Sequence, residues 1–188
     1  SFKTGSGSDP DYFALEDRSG NKIECGRTAD SKIEYAGDNT SRVSKWLLNK
    51  YEDTRGNYIN YIYEEDRVNG QFRIKEIQYT GNVAAGISPY NKVTFDYAIR
   101  SDVETHYLSG GGITTKDLLL TRVTMSDASG KSAHSYEFTY SMEDNYKTAG
   151  INNVFDFNSK LSEIKEFGTD NKQYNSTAIL WNPTPGTS

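Results

Sequence analysis

The sequence predicts an all-β protein built from antiparallel hairpins, arranged either as one curved sheet or as a two-layer β-sandwich. Two observations favour this fold class. Tyr, Phe, Val, Ile and Thr dominate the apolar runs, and these residues are typical of strands. Short segments that contain Asp, Asn and Gly recur between the runs, and such segments favour tight turns between neighbouring strands.

Composition and charge limit the possible functions. The chain has 188 residues, of which 35% are hydrophobic, and 14 are Tyr. This length predicts one domain that can bury a core, and the Tyr content favours sheet faces that are partly wet. The net charge of -5 argues against nucleic acid as a partner, because phosphate binding needs a basic surface. No apolar run has the length of a transmembrane segment, so we expect no membrane insertion by this segment.

The N-terminal part of the sequence predicts a flexible segment followed by a first hairpin. Residues 1–11 are rich in Ser and Gly, and they lack a signal-peptide pattern, so the chain is expected to be a piece of a longer protein. Residues 12–26 form the first hairpin, whose turn contains Asp17 and Gly20. Cys25 is the single cysteine, which excludes an internal disulfide and is typical of a small buried apolar residue.

The strongest hairpin signal lies at residues 46–64, WLLNKYEDTRGNYINYIYE. In the predicted turn, the Asp53 carboxylate can accept hydrogen bonds from backbone amides just ahead of it. Gly56 and Asn57 tolerate the positive φ that such a turn requires. Trp46 begins the first strand, and Tyr61 and Tyr63 alternate with polar residues along the second.

The remaining elements follow in order. A short strand is predicted at 32–35, before the main hairpin. The later strands are predicted at 72–80, 92–100, 117–126, 135–140 and 161–167, with a last strand that ends at Trp181. Strict alternation over 92–100 places Phe95, Tyr97 and Ile99 on one face of a half-buried strand. Residues 141–160 are expected to form a long loop and residues 182–188 a linker, which leaves 12–181 as the single β domain.

An internal repeat underlies the second half of the chain. Ile74-x-x-Ile77, Leu120-x-x-Val123 and Leu161-x-x-Ile164 share one spacing, and each precedes a turn or loop and then an alternating strand. Imperfect repeats of one hairpin suggest a sheet that grows by adding hairpins, because no single unit can bury its apolar face alone.

Candidate chemical groups are sparse. His106 and His134 lie on different predicted strands without metal-ligand spacing, so a zinc site is not expected. The acidic run Glu64-Glu65-Asp66 could serve glycosidase chemistry only if it lay in a cleft, and such runs are usually solvated turns. A surface ion pair is the expected role of Arg100 and Asp102. The sequence therefore predicts no catalytic, cofactor-binding or metal-binding residues.

The aromatic residues leave one alternative open. Surface Tyr and Trp side chains could line a sugar-binding platform, as in a carbohydrate-binding β-sandwich module. Most of these rings share the strand phase of neighbouring Val and Ile residues, which favours packing over ligand stacking.

The order of these motifs carries a family resemblance. The pattern Trp46-x-Leu48-x-x-Tyr51-x-Asp53-x-x-Gly56-Asn57, with Tyr61 and Tyr63 after it, resembles the N-terminal domain of the Salmonella virulence plasmid B protein. The same domain opens the B component of bacterial insecticidal toxin complexes. Matching segments, in order, are Ile74 to Tyr79, Val93 to Asp102, Leu120 to Val123, Tyr136 to Tyr140, Leu161 to Ile164 and Thr177 to Trp181. Cys25-Gly26 departs from the Tyr-Gly more common in the family, so whether the first hairpin follows the family stays open.

The resemblance implies a structural domain of a secreted or surface bacterial toxin-type protein. In toxin-complex B components this region is similar to the neighbouring YD-repeat, Rhs-like shell, so the implied partners are neighbouring β-propeller or YD-repeat domains and toxin-complex components. The ADP-ribosyltransferase activity of the virulence protein belongs to a separate domain, so no enzyme activity is expected here. The residues expected to set turns and seal sheet faces are Trp46, Asp53, Gly56, Asn57, Tyr61, Tyr63, Phe95, Tyr97 and Trp181.

Overall fold

The computed structural model describes residues 2–4, 10–35, 42–107, 112–144 and 157–181. These residues form β-strands and one short 3-10 helix, Ala29–Ser31, and no helix among them is long and apolar enough to cross a membrane. The strands are β1 (Phe2–Thr4), β2 (Pro10–Glu16), β3 (Lys22–Cys25), β4 (Lys32–Glu34), β5 (Val43–Trp46), β6 (Leu48–Glu52), β7 (Asn57–Asp66), β8 (Gln71–Asn82), β9 (Asn91–Tyr107), β10 (Ile113–Ser126), β11 (Ser132–Asp144), β12 (Phe157–Phe167) and β13 (Gln173–Ala178). The all-β prediction is confirmed.

Eleven of the strands form one antiparallel sheet. Its order, β1-β2-β3-β6-β7-β8-β9-β10-β11-β12-β13, follows the chain except that β4 and β5 leave the sheet and pair with each other. The predicted growth by successive hairpins is therefore confirmed. Of the two arrangements expected, the structure shows the single sheet, because the second sheet has only two strands. β1 and β13 are the edges of the large sheet within the described residues.

The insert formed by the 3-10 helix, β4 and β5 covers one part of the large sheet. Ile33 in β4 is 2% exposed and is the one large apolar side chain that is fully buried in the described part of the chain. Trp46 at the end of β5 packs edge-on against Phe13 of β2, with ring centroids 5.2 Å apart. The Asp30 carboxylate accepts a 2.8 Å hydrogen bond from the Tyr63 amide of β7. Apolar packing is therefore concentrated under this insert.

The main hairpin begins later than the sequence suggests. Trp46 pairs with Lys32 in the small sheet, so its expected position at the start of the 46–64 hairpin is wrong. Leu47 returns the chain to the large sheet: its amide donates to the Ser31 carbonyl and its carbonyl accepts from the Gly26 amide, each at 2.8 Å. The hairpin proper is β6–β7, which begins at Leu48.

The turn between β6 and β7 has the predicted chemistry. Asp53 Oδ1 accepts from the amides of Arg55 and Asn57 at 2.9 and 2.8 Å, while Asn57 Nδ2 donates to Asp53 Oδ2 at 2.8 Å. Gly56 has φ +80°. The turn of the first hairpin repeats these bonds with Asp17 and Asn21. The same Asp-x-x-Gly spacing therefore sets both turns.

Three other expectations need revision. Regular structure begins before Tyr12, since β1 and the start of β2 lie within residues 1–11, which were expected to be flexible. The segment 141–160, which is expected to be a long loop, has strand residues at both ends, because β11 continues to Asp144 and β12 starts at Phe157. Ile99 is 84% exposed, so the half-buried face predicted for 92–100 ends before it. The proposed linker, 182–188, lies outside the described residues.

Candidate functional site

Four hairpins of the sheet share one construction and form the principal candidate site. In each, an aromatic side chain donates a hydrogen bond to a backbone carbonyl on the first strand; the aromatic residue lies on the second strand in three hairpins and three residues after it in β12–β13. The donor–acceptor pairs are Tyr63 Oη to Leu48, Tyr97 Oη to Ile74, Tyr140 Oη to Leu120 and Trp181 Nε1 to Leu161, at 2.9, 2.8, 2.8 and 2.8 Å. We call these donors the closing aromatics and the hairpins β6–β7, β8–β9, β10–β11 and β12–β13 the split hairpins.

The register explains why a side chain is needed there. Pairing between the two strands of each split hairpin ends at an equivalent position. The last pairs are Lys50–Asn60, Glu76–Thr94, Arg122–Glu137 and Glu163–Ala178. Each last pair lies two residues after the carbonyl residue and three residues before the closing aromatic. A buried carbonyl without a partner is costly, and the aromatic side chain supplies the hydrogen bond that the strand no longer provides.

Successive hairpins also join in a constant way. Each carbonyl residue pairs with the closing aromatic of the preceding hairpin: Ile74 with Tyr63, Leu120 with Tyr97 and Leu161 with Tyr140. Together with the side-chain bonds, these pairs form a continuous row across the sheet from Trp181 back to Leu48. The row ends where Leu48 pairs with Cys25.

One extra residue bulges from the strand directly after each carbonyl residue. These four residues are Asn49, Lys75, Thr121 and Ser162. The side chains of Thr121 and Ser162 donate to the carbonyls of Asp96 and Thr139 on the preceding strand, at 3.1 and 3.0 Å. Asn49, which is 6% exposed, accepts from the Arg27 amide at 3.0 Å. The bulges therefore link neighbouring hairpins through side chains.

The environment of the closing tyrosines keeps them as hydrogen-bond donors. Burial raises the pKa of Tyr63, Tyr97 and Tyr140, because desolvation disfavours the phenolate. The Arg73 guanidinium lies over the Tyr97 ring at 5.8 Å, and its charge opposes the rise in that pKa. A neutral phenol can donate to a carbonyl, whereas a phenolate cannot.

Clefts lie where the strands of three split hairpins separate. Their volumes are about 590 Å³ between β6 and β7, 330 Å³ between β8 and β9, and 380 Å³ between β10 and β11. Each cleft is lined by one arginine in an ion pair: Arg27 with Glu24 at 2.6 Å, Arg73 with Glu64 at 2.8 Å and Arg122 with Glu137 at 3.3 Å. These pairs give each cleft a mixed polar lining.

The structure places the residues predicted from the sequence in different roles. Tyr61 lines the β6–β7 cleft, and Phe95 and Tyr97 line the β8–β9 cleft. Tyr63, Tyr97 and Trp181 are closing aromatics. The sequence pattern marks them as the ends of alternating strands but does not reveal their hydrogen bonds. The available signal was their fixed place as the third alternating residue, as in Val93-x-Phe95-x-Tyr97.

An ion pair in β9 is more enclosed than the sequence suggests. Arg100 Nε and Nη2 donate to Asp102 at 2.9 and 2.6 Å, and the two side chains are 12% and 5% exposed. The amide and hydroxyl of Ser159 in β12 also donate to this carboxylate, at 2.5 and 2.6 Å. The expectation of a surface ion pair is wrong. The bidentate Arg100 contact, followed by the Ser159 bonds, holds the pKa of Asp102 well below its usual range.

The other titratable candidates have structural partners. His106 lies 3.2 Å from Glu104, and His134 lies 2.9 Å from Glu166. The two histidines are on separate strands, β9 and β11. No group of three or more His, Cys, Asp or Glu side chains that could hold a metal ion occurs in the part of the chain that the structure describes. Burial raises the pKa of the Cys25 thiol.

The acidic run that the sequence singled out is divided among three partners. Glu64 pairs with Arg73 at 2.8 Å, and Glu65 Oε1 accepts from the Glu34 amide at 2.9 Å. The Asp66 carboxylate accepts from the Val68 and Asn69 amides of the β7–β8 turn. Each carboxylate thus has its own structural contact.

Comparisons with known proteins agree with this architecture. Residues 2–85 match the family model described as Salmonella virulence plasmid 65kDa B protein, SpvB. A search of curated protein sequences gave no match. The N-terminal domain of effector protein SpvB from Salmonella typhimurium strain LT2 superposes with a TM-score of 0.65 at 15% identity, covering 87% of this chain and 62% of that one.

A second solved structure has the same fold within a much larger chain. The crystal structure of TcdB2-TccC3 superposes with a TM-score of 0.65 at 14% identity, covering 90% of this chain and 10% of that chain. This chain therefore spans about a tenth of the toxin-complex chain that it matches and less than two thirds of the SpvB N-terminal domain. Residues 2–85 are thus similar in sequence to the SpvB family model, and the fold is similar to that of the SpvB N-terminal domain and to a part of TcdB2-TccC3.

Proposed function

We propose that this chain is a non-catalytic scaffold domain of a larger bacterial toxin-type protein that is secreted or displayed at the cell surface. Its role is geometric. The sheet sets the spacing and direction of neighbouring domains of the same parent chain, of β-propeller or YD-repeat type, and through them it contacts toxin-complex partners.

The observation that carries this proposal is a large open sheet with little core of its own. Among the described residues, only Ile33 is a fully buried large apolar side chain, and it belongs to the two-stranded insert, not to the large sheet. A domain stabilises itself by burying apolar faces between layers, and most of this sheet has no second layer in the described residues. A sheet of this kind is suited to being covered by its neighbours.

Exposed apolar side chains indicate where neighbours would pack. Ile99, Val103 and Tyr107 on β9 are 84%, 51% and 85% exposed. Leu180, just after β13, is 93% exposed. Apolar groups exposed in this way on a soluble domain are typical of interaction surfaces.

The comparisons support the same proposal. A matching sheet occupies about a tenth of the TcdB2-TccC3 chain, so the fold occurs as one part of a larger assembly. The arginine that lines each cleft is engaged in an ion pair, such as Arg73 with Glu64. An arrangement of neutralised pairs supports a structural role for the clefts over a catalytic one.

The proposal can be tested by hydrogen exchange on the isolated chain and on the same chain extended by the domain that follows it in the parent protein. We expect slower amide exchange in the extended protein at β9 or β13, with the remaining strands unchanged. No added protection on any strand would refute a scaffold role. Catalytic turnover by the isolated chain would refute the non-catalytic part.

A second candidate function is carbohydrate binding in the β6–β7 cleft. Tyr61 lines this cleft together with Asn49 and Asn60, and an aromatic ring beside amide groups suits a sugar. A glycan array probed with the wild-type protein and with Tyr61→Ala tests it. Binding that Tyr61→Ala removes supports a lectin function, whereas no binding excludes it for the glycans on the array.

A further inference from the structure

The outer edge of β13 continues the repeated construction with no strand paired to it among the described residues. β13 pairs with β12 on its inner side and stands last in the sheet order. All its residues are exposed, and the two residues that follow Ile179, Leu180 and Trp181, are 93% and 48% exposed. An edge of this kind can accept a further strand through its backbone groups.

Every earlier boundary between hairpins has one register. The incoming strand places an apolar residue opposite the residue two positions before the preceding closing aromatic. The observed pairs are Ile77 with Tyr61, Val123 with Phe95 and Ile164 with Phe138. The carbonyl residue of the incoming strand lies opposite the closing aromatic itself, as in Leu161 with Tyr140.

A hydroxyl on the bulged residue fixes this register at two boundaries. Thr121 donates to the Asp96 carbonyl and Ser162 donates to the Thr139 carbonyl. Asp96 and Thr139 each directly precede a closing aromatic. The acceptor is thus a carbonyl that points away from its own hairpin partner and toward the incoming strand.

The equivalent groups on the last hairpin are in place. Trp181 is its closing aromatic, so Ile179 and Leu180 correspond to Phe138 and Thr139. The Ile179 amide donates to Ser162 of β12 at 2.8 Å. Hydrogen-bonding groups of successive residues point to opposite sides of a strand, so Ala178 and Leu180 direct theirs away from β12. Ser176 has the same outward orientation by alternation.

From this geometry we infer that the outer edge of β13 binds the first strand of a further hairpin of the same type, in antiparallel orientation. The strand would place Leu or Ile opposite Trp181, a Ser or Thr hydroxyl on the Leu180 carbonyl, and a second apolar residue opposite Ile179. This inference rests on the proposed scaffold function and gives its partner a sequence pattern, Leu/Ile-Ser/Thr-x-Val/Ile.

The bulged Ser or Thr residue favours a strand of a further hairpin at the outer edge of β13, because an unpaired edge alone could accept any strand. Pairing between the β13 edges of two copies would lack the extra hydroxyl residue, because residues 175–178 pair with β12 without a bulge over Glu163–Glu166. The opposite edge, β1, has only three residues. A second copy is therefore the poorer fit, and it becomes an outcome of the test.

A synthetic peptide with the sequence of residues 159–181 is a suitable probe, because it contains Leu161, Ser162 and Ile164 in the required pattern. We expect it to bind the full chain with 1:1 stoichiometry in fluorescence anisotropy. Amide exchange followed by NMR should show new protection at Ala178 and Leu180 of the protein. A peptide with Ser162→Val should bind roughly 5-fold more weakly, the equivalent of one neutral hydrogen bond.

The matched protein variants are Ser176→Pro and Ser176→Ala. Proline removes an outward amide without breaking the β12–β13 ladder, so Ser176→Pro should weaken peptide binding at least about 10-fold while the alanine variant binds normally. Unchanged β12 exchange rates would show that the fold is intact.

Several results would overturn the inference. These are no peptide binding to the wild-type protein, equal binding to Ser176→Pro, equal binding of a peptide with Leu161 and Ile164 replaced by Ser, and protection confined to β1. Dimerisation of the chain that Ser176→Pro abolishes would identify a second copy as the occupant. If the extended protein gains protection on β9 alone, the scaffold function stands and this edge inference fails.

Discussion

The first hairpin and the four split hairpins are built alike at their turns and differently at their open ends. β2 and β3 stay paired from Glu16–Lys22 to Phe13–Cys25, whereas the later hairpins separate after their last equivalent pair. Cys25 stands where the later hairpins have a closing aromatic, since it pairs with Leu48 as Tyr63 pairs with Ile74. A small side chain at this position accompanies a hairpin that stays closed.

The inserted hairpin takes over the missing aromatic contact. Trp46 Nε1 donates to the Pro10 carbonyl of β2 at 3.0 Å, and its ring packs against Phe13 and over Gly26. The first hairpin is thus held by apolar cover from a second layer.

The insert reaches the β6–β7 hairpin through hydrogen bonds from the Tyr63 amide to Asp30 and from the Glu34 amide to Glu65. The β10–β11 and β12–β13 hairpins have no such layer in the described residues, and polar bonds between strands replace it. One building block can therefore be stabilised in two ways, depending on what lies above it.

The largest loss of stability is expected at Gly26, where the Trp46 ring of the insert packs on the first hairpin. Gly26 has φ +75°, and a Cβ there would overlap the Trp46 ring. Gly26→Ala should lower the free energy of unfolding by at least about 3 kcal/mol, since backbone strain and overpacking add. Denaturant titration measures this loss.

Gly130 provides the control for Gly26. Its φ is +80°, but a Cβ there would meet no atom within 4 Å. Gly130→Ala should therefore cost only about 1 kcal/mol, the conformational part alone. Equal losses for the two variants would show that the Trp46 cover contributes nothing.

The second effect concerns the polar link between non-adjacent strands in the uncovered region. Asp102 of β9 binds Arg100 on its own strand and Ser159 of β12, and Glu104 and Tyr140 also lie near the guanidinium. Asp102→Ala should cost about 3 kcal/mol at pH 7, because it leaves an enclosed Arg100 without its carboxylate.

The pH dependence of this contribution has a definite sign. The folded-state pKa of Asp102 is lowered, so its stabilisation is fully present above the unfolded-state pKa of about 3.9 and is lost as the pH falls below it. Unfolding measured at pH 7 and pH 3 should therefore show a smaller difference between wild type and Asp102→Asn at pH 3. A difference that stays constant would contradict this account.

The third prediction inserts the missing aromatic into the first hairpin. Cys25→Tyr should cost about 2 kcal/mol, because β2 and β3 remain paired there and a large ring must enter a half-buried site. Cys25→Val, which adds little volume, serves as the control. A neutral or stabilising Cys25→Tyr, with loss of the Phe13–Cys25 pair in NMR spectra, would show that the aromatic alone can open a hairpin.

The sequence could predict the fold class and the turn chemistry because both depend on local patterns. Asp53, Gly56 and Asn57 act within five residues of one another, and the period of two in β9 is local as well. It could not predict that Trp46 leaves the main sheet, because that placement depends on contacts with Phe13 and Gly26. The enclosure of Arg100 and Asp102 likewise depends on Ser159, which is 57 residues away from Asp102.

The candidate site was predictable only in part for the same reason. The alternation marks Tyr63, Tyr97 and Trp181 as special positions, and the repeat of Leu or Ile marks the strands that they contact. The hydrogen bond from each closing aromatic to the Leu or Ile carbonyl can be predicted only if the pairing register of the two strands is known. That register is not a simple continuation of the hairpin, because the strands separate before they reach these residues. The alternation of side chains along a strand therefore predicts that these rings pack on one sheet face, but it does not predict the hydrogen bonds of their hydroxyl groups.

The smallest expected effect tests the closing hydroxyl directly. Tyr97→Phe should cost about 1 kcal/mol, because the Ile74 carbonyl loses its 2.8 Å donor while the ring remains. Tyr107→Phe is the matched control, since Tyr107 is 85% exposed and should show no measurable loss.

Tyr140→Phe should resemble Tyr97→Phe, because Tyr140 donates to Leu120, the residue that pairs with Tyr97. The shared position in one row across the sheet also predicts that the double variant deviates from the sum of the single losses by at least about 0.5 kcal/mol in urea titrations. Strict additivity would mean that the hairpins are independent units, and the row of closing aromatics would then be a repetition without coupling.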